Sequence, residues 1–168
     1  GRDFWAPCWA MSGTTRSATA PRLLAVSALP VARQWVDCSR PAKRLAAFER
    51  DFIGATREMV GTYMFTAKAD PVPKRRIVDD MSQAPPGVAI AAIRQLNAWD
   101  GAAALKSLPV PVVVINADLN GVTDEARIRR LAPRFRAITV SGLGHFLMME
   151  DPGRFNPILD EQVRALAN

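Results

Sequence analysis

The chain has 168 residues, of which 49% are hydrophobic and 23% are charged, and its formal net charge is +6. This length and composition suit one globular domain with a buried core, and the sequence contains no apolar run long enough to span a membrane. Its basic residues are interleaved with acids or lie on predicted helix faces, outside any recognisable nucleic-acid-binding module, which argues against a nucleic-acid partner.

The first 41 residues differ in composition from the rest of the chain. Residues 1–41 hold three of the four tryptophans and both cysteines, together with many Ser, Thr, Ala and Arg residues. Within them, only residues 22–29 have the apolar pattern of a strand. We therefore treat 1–41 as an atypical N-terminal segment with one remnant strand.

The same segment bears on location, redox state and metal binding. It lacks the basic start and clean apolar stretch of a signal peptide, so we expect a cytoplasmic protein. Cys8 and Cys38 make no disulfide framework, and reduced thiols are expected. One histidine and two distant cysteines do not supply a zinc site of the usual spacing, so the sequence predicts no bound metal.

Residues 42–105 have the pattern of a helical region interrupted by prolines. Apolar side chains recur at three- and four-residue steps over residues 42–65, which predicts one helix with a single apolar stripe. Pro73 predicts the start of a short helix, and Pro85-Pro86 ends it. A further helix is predicted over Val88 to Ala98. Ordinary packing accounts for most of the stripe, although its aromatic and methionine side chains also suit a pocket lining.

Residues 106–168 alternate between strand and helix. The Val/Ile run within Pro109–Asn120 predicts a strand that is buried on both faces, followed by a polar loop. Residues 122–132 predict a helix with Thr123 as its cap. A second β-branched strand, Ile138–Ser141, then leads through a Gly-x-Gly turn to His145, the only histidine of the chain.

The C-terminal element is predicted to start twice. Asp151-Pro152 has the pattern of a helix start, but Pro157 would lack a donor and clash with the preceding turn. We therefore expect a short turn at 152–155, then a helix from Asn156 and Pro157 to about Ala167.

The segment from Gly142 to Pro152 resembles the GHFxxxEDPxxF stretch of the α/β-hydrolase superfamily. The order strand, acid-bearing loop, helix, strand and histidine also resembles the last third of that fold, over residues 107–168. Residues 42–106 are similar more loosely, as the helical cap of such an enzyme, and the resemblance fails before residue 42. It implies an α/β fold, here a partial α/β-hydrolase fold comprising the last parallel strands and helices with a helical cap.

The resemblance implies a nucleophile, a base and an acid. His145 matches the general base, which takes the proton of the nucleophile and later activates water. Asn120 falls where the catalytic Asp of the family commonly stands, and Asp118 is the nearest carboxylate, two residues earlier. Two alternatives stay open: Asp118 acts as the acid, or Asn120 orients the ring while Asp118 caps a turn.

The sequence lacks the G-x-S-x-G elbow that exposes the nucleophile in this superfamily. Ser12, within Ala10-Met11-Ser12-Gly13-Thr14, and Cys8 are weak candidates. The first strands of the fold are not recognisable either. Three explanations are open: a fragment, a truncated relative, or a shifted reading frame over 1–41.

The function implied is hydrolysis of a small apolar ester, lactone or C–C bond without a cofactor. With no recognisable nucleophile, the chain is expected to be weakly active or inactive as written. The alternative is a non-catalytic remnant that binds a small apolar ligand or a protein partner. We also expect self-association through an exposed sheet edge, because unpaired strands beside an apolar face tend to pair with another chain.

Overall fold

The computed structural model describes residues 23–26, 39–119 and 121–167. Its elements are, in chain order, β1 (Leu23–Val26), α1 (Ser39–Arg50), α2 (Phe52–Glu58), a π-helix (Met59–Tyr63), α3 (Pro71–Ser82), α4 (Pro86–Ala98), α5 (Gly101–Ser107), β2 (Val112–Ala117), α6 (Glu125–Arg129), β3 (Phe135–Val140), α7 (Leu147–Glu150) and α8 (Pro152–Ala167). β1 lies inside the predicted strand 22–29. The α/β class predicted from the sequence is confirmed.

The described strands form a parallel sheet in the order β1-β2-β3. Leu23 is paired with Val112, and Val112 is paired with Phe135 on the other side. All six residues of β2 are buried. The central position of β2 explains why its sequence is continuously apolar rather than alternating.

Two apolar clusters cover the opposite faces of β2. Ile115 and Ala117 pack in one cluster with residues of α7, α8 and the loop after β3. Val112 and Val114 pack in the other, against Ile128 of α6 and neighbouring residues. This alternation along one strand places helices on both faces of the sheet, as expected for strands joined by helical crossovers.

The outer edge of β3 is partly covered by a side chain. The Glu125 carboxylate, on α6, accepts a hydrogen bond of 2.8 Å from the backbone N–H of Ala137. β3 is an outer strand of the described sheet. A charged side chain that satisfies an edge N–H hinders pairing with another strand there.

The single helix predicted over residues 42–65 is wrong, because three helical segments occupy this stretch. α1 ends at Arg50, and the Asp51 carboxylate then accepts a hydrogen bond of 2.9 Å from the backbone N–H of Gly54. Asp51 is therefore the N-cap of a new helix, α2. A π-helical turn, Met59–Tyr63, completes the stretch.

Aspartates also set the starts of other helices. Asp70 caps α3 by accepting a hydrogen bond of 2.8 Å from the N–H of Val72, so this helix begins at Pro71 rather than at the predicted Pro73. Asp100 caps α5 by accepting a hydrogen bond of 2.9 Å from the N–H of Ala103. Each cap satisfies a backbone donor that has no partner inside its own helix.

The prediction of Thr123 as the cap of the next helix is wrong. The cap of α6 is Asp124, whose carboxylate accepts from the N–H of Arg127 at 2.9 Å. Thr123 is buried, and its hydroxyl accepts a hydrogen bond of 2.6 Å from the buried Asn116 side chain. The Thr123 hydroxyl therefore joins the loop to β2, and α6, Glu125–Arg129, is shorter at both ends than the predicted helix over 122–132.

The predicted double start of the C-terminal helix is also wrong, because α8 runs unbroken from Pro152 to Ala167 with Pro157 inside it. Asp151 caps its first turn, accepting from the N–H of Arg154 at 3.0 Å. Phe155, only 4% exposed, anchors the same turn in the core. A cap contributes about 1 kcal/mol and a buried Phe about 2–3 kcal/mol, which offsets the roughly 3 kcal/mol cost of an interior proline.

Candidate active site

His145 lies on the loop that joins β3 to α7. β3 is parallel to β2, so the loops that follow both strands meet at the carboxyl edge of the sheet. Gly142 makes the first turn of the loop with φ +78°, a conformation that costs other residues strain. The predicted placement of His145 on a loop after a parallel strand is confirmed, and ligands of open α/β sheets bind at this edge.

Asp118 directly follows β2 and reaches the same loop. One of its carboxylate oxygens accepts a hydrogen bond of 2.8 Å from the backbone N–H of Gly142. The structure thus brings Asp118 to the loop that carries His145, as the strand order requires. The hydrogen bond from the His145 ring to Asp118 stays a prediction.

The remaining candidates from the sequence lie outside the described residues. These are Asn120, the alternative partner of the imidazole, and the two weak nucleophile candidates Ser12 and Cys8. Their roles stay predictions.

The histidine loop rests directly on the segment that follows the π-helix. The backbone N–H of His145 donates a hydrogen bond of 2.7 Å to the carbonyl oxygen of Met64. A Cβ on Gly144 would lie only 2.6 Å from that oxygen and 3.0 Å from the Cα of Phe65. Glycine at position 144 is therefore what permits the two backbones to approach so closely.

Aromatic rings extend this contact around the imidazole. The Phe146 ring stacks on Phe65 at a centroid distance of 5.0 Å. The His145 ring meets Phe146 edge to face, at 4.9 Å and 85°. Phe65 and Phe146 are buried with Val60 and Ile77, so the histidine loop shares an apolar cluster with the helical region. Such rings hold the imidazole against an apolar wall.

Glu150 and Thr66 form a polar link beside these rings that the sequence reasoning missed. One carboxylate oxygen of Glu150 accepts from the N–H of Gly144, and the other accepts from the Thr66 hydroxyl, both at 2.8 Å. Glu150 was visible as part of the recognised motif, but no role followed from it. Thr66 gave no signal, because the two residues are 84 positions apart in the chain.

An open groove lies elsewhere on the surface. It has a volume of about 530 Å³ and is lined by one face of α8, between Asn156 and Val163. Neither His145 nor Asp118 lines it. The groove is built from a single helix, so it does not bring together residues from different elements as the carboxyl edge of the sheet does.

Substitution of Gly144 by alanine is expected to dislodge the histidine loop. The new methyl group meets the Glu150 carboxylate and also backbone atoms of Met64 and Phe65, which move aside less easily than a side chain, so overpacking of about 1–3 kcal/mol is expected. Urea denaturation of the variant measures this loss. Gly87→Ala is the control, because a Cβ there meets nothing within 4 Å. An unchanged midpoint for Gly144→Ala would contradict the close approach.

The chain matches the sequence model of the Alpha/beta hydrolase family over residues 6–158. This match includes most of segment 1–41, where the motifs alone showed no resemblance. No curated protein sequence matches the chain significantly.

Solved structures with the same fold include enzymes of several kinds. A thermophilic esterase from Thermogutta terrifontis is 19% identical with a TM-score of 0.64, over 86% of this chain and 56% of its own. A bromoperoxidase from Bacillus anthracis is 15% identical with a TM-score of 0.65, over 77% of this chain and 50% of its own. An enol-lactonase from Burkholderia xenovorans LB400 is 18% identical with a TM-score of 0.62, over 73% of this chain and 49% of its own.

These likenesses, all below 20% identity, show the fold alone. The chain spans about half the length of these structures. Within the described residues, no helix combines the length and the apolar character that crossing a membrane requires.

Proposed function

Because the chain belongs to the alpha/beta hydrolase family, we propose that it carries the base-and-acid half of a hydrolase active site. The observation that carries this proposal is the hydrogen bond from the Gly142 N–H to Asp118, which joins the loop that bears His145 to the loop after β2 at the carboxyl edge of the sheet. In the proposed reaction, the imidazole of His145 takes the proton of the nucleophile. It then returns a proton to the leaving group and activates water to release the product.

Asp118 is the proposed acid. Its carboxylate would fix the imidazole in the tautomer that leaves one ring nitrogen free to accept a proton, and would stabilise the imidazolium that forms. The hydrogen bond from Gly142 supports this role, since it ties the Asp118 carboxylate to the turn that precedes His145. Asn120 orienting the ring is the competing assignment.

The proposed substrates are small apolar esters or lactones, with C–C bond cleavage as a further reaction of the same chemistry. Two of the solved relatives are named an esterase and an enol-lactonase, which supports ester and lactone substrates. The helical region 42–105 would act as the cap, and the Phe65–Phe146 pair beside the imidazole supports an apolar acyl or alkyl group there. We propose a soluble, cytoplasmic enzyme that needs no cofactor.

The proposed turnover is weak, because neither Ser12 nor Cys8 lies in a G-x-S-x-G elbow. A second candidate function follows from the same observation. A chain with a base but no activated nucleophile could serve as a binding remnant for a small apolar ligand or a protein partner.

An assay with the purified chain distinguishes the two functions. It measures the hydrolysis of nitrophenyl esters of short acids and of a small lactone. Hydrolysis slightly above the rate in buffer, falling as the acyl group lengthens or becomes charged, is the expected result. If the chain binds the ester but does not hydrolyse it, the binding remnant is favoured instead. Rapid hydrolysis that is lost on Ser12→Ala would contradict weak turnover and identify Ser12 as the nucleophile.

We also propose that the chain self-associates through the edge of its sheet. β1 is an outer strand of the described sheet. An open edge beside an apolar face favours pairing with a second copy. Light scattering on the purified chain is expected to report a dimer or a larger species. A monomer at all concentrations would contradict this proposal.

A further inference from the structure

We infer that Glu150 is a positioning residue that locks the His145 loop to the helical region through its two carboxylate oxygens. This inference rests on the proposed function, since the loop matters for catalysis only if His145 is the base. Glu150 does not touch the reacting atoms in this account. It acts on the backbone that carries them.

The two oxygens of Glu150 serve two different parts of the chain. Oε1 accepts from the N–H of Gly144 at 2.8 Å, immediately before His145. Oε2 accepts from the Thr66 hydroxyl at 2.8 Å and, more weakly, from the Thr66 N–H at 3.4 Å. Both sets of contacts are partly buried, where hydrogen bonds to a charged acceptor are stronger than in water. One side chain therefore bridges residues 84 positions apart.

A second bond fixes the same short stretch of backbone. The His145 N–H donates to the Met64 carbonyl at 2.7 Å. Two successive amides of the loop are therefore bound: that of Gly144 by Glu150, and that of His145 by Met64. Met64 and Thr66 flank Phe65, whose ring stacks on Phe146. The imidazole is thus positioned by two backbone bonds and an aromatic wall.

Glu150 is itself held in place by the helix that follows the loop. Its N–H donates to the carbonyl of Phe146 at 2.9 Å, and α7 places the carboxylate back over the loop. Leu147, on the same turn, is fully buried. A short helix anchored in the core therefore presents Glu150 to two donors at once.

The chemistry of this link favours a carboxylate. The two N–H groups, of Gly144 and Thr66, can only donate, and the Thr66 hydroxyl also donates to Glu150 here, so a carboxylate, which accepts at both oxygens, suits all three. A glutamine has one acceptor oxygen; with that oxygen on Gly144, its NH₂ group would face the Thr66 N–H, and the bond to the Thr66 hydroxyl would have to reverse its direction. Glu150→Gln therefore keeps the size of the side chain but removes the charge and weakens the Thr66 side of the link.

The test uses the imidazole of His145 as a spectroscopic probe, since it is the only histidine in the chain. The Phe146 ring lies edge to face with the imidazole at 4.9 Å, so its ring current is expected to displace the ring-proton resonances of His145 from their free-peptide positions. In Glu150→Gln and in Thr66→Val these resonances are expected to move toward the free-peptide positions. Thr66→Ser retains the hydroxyl, so the His145 resonances are expected to stay at their wild-type positions in this variant.

Glu161→Gln is the matched control, because Glu161 is exposed on α8 and is not part of this link. It should leave the His145 resonances unchanged. Folded Glu150→Gln and Thr66→Val proteins with wild-type His145 resonances would overturn the inference. If Glu150→Gln fails to fold, the pair Thr66→Val and Thr66→Ser decides, because it alters only one hydroxyl contact.

The readout is independent of turnover, so the inference and the proposed function can fail separately. If the His145 resonances move in Glu150→Gln and Thr66→Val but hydrolysis survives in His145→Gln, the link stands and His145 is not the catalytic base. If the resonances do not move in those variants but hydrolysis is lost in His145→Gln, His145 is the base and Glu150 does not position it.

Discussion

Substitution of His145 by glutamine is expected to reduce hydrolysis of nitrophenyl butyrate by the chain to the rate in buffer alone. Glutamine keeps a polar side chain of similar length but has no group that takes up a proton near neutral pH. A positioned general base contributes about 10²–10⁴-fold to the rate, so its removal is expected to abolish the small excess of the wild-type rate over the rate in buffer. Steady-state kinetics with the purified variant measure the loss, which should fall on kcat rather than KM.

Ser141→Ala is the matched control for this variant. Ser141 lies in the same loop, and its side chain is exposed, so its removal should leave turnover unchanged. Turnover in His145→Gln that equals the wild-type rate would contradict the base role of His145. Equal losses in both variants would point to disruption of the loop instead of loss of the imidazole.

Among core residues beside the candidate site, Leu147 is expected to cause the largest loss in the free energy of unfolding when it is replaced by alanine. Leu147 is 0% exposed and packs in one cluster with Ile115, Val140 and Phe155. These partners come from β2, β3 and α8, so the cavity left by alanine cannot close by moving one element alone. Such a deletion costs about 2–5 kcal/mol in the free energy of unfolding.

Urea denaturation of Leu147→Ala, followed by circular dichroism, measures this cost. Met149→Ala, on the same short helix α7, is the matched control because Met149 is 45% exposed. A surface change of this kind is expected to stay within about 0.5 kcal/mol of wild type. Equal effects of the two substitutions would contradict the packing of α7 against the sheet.

Much of the sheet could be predicted because its signals are local. The unbroken Val/Ile run of β2 reflects burial on both faces. The glycine turn after β3 predicted the loop of His145, and the structure has φ +78° at Gly142. These patterns depend on a few neighbouring residues, so the sequence alone contains them.

Other features depend on competition between partners that a local pattern does not reveal. Thr123 is a good cap by residue type, but its hydroxyl accepts a hydrogen bond from the Asn116 side chain, and Asp124 caps the helix instead. Pro157 predicts a break, yet the Asp151 cap and the buried Phe155 maintain the helix through it. In each case a tertiary contact, the Asn116–Thr123 hydrogen bond or the burial of Phe155 in the core, contributed to the outcome.

The polar part of the candidate site was the least predictable. Glu150 and Thr66 meet only because the histidine loop packs on the segment after the π-helix. No periodicity or motif connects residues separated by 84 positions. The His145 motif could be recognised from the sequence because its glycines and proline are contiguous, whereas its supporting contacts come from the fold.

The nitrogen chemical shifts of the His145 imidazole, compared between wild type and Asp118→Asn, test most directly whether His145 is held as a general base. Asparagine keeps an oxygen for the Gly142 N–H, so the loop contact is retained while the charge is removed. A proton on Nδ1 and an unprotonated Nε2 are expected in wild type, and a mixture of tautomers is expected in Asp118→Asn. A proton on Nε2 in wild type, or a tautomer that changes in Asn120→Ala but not in Asp118→Asn, would contradict the assignment of Asp118 as the partner of His145.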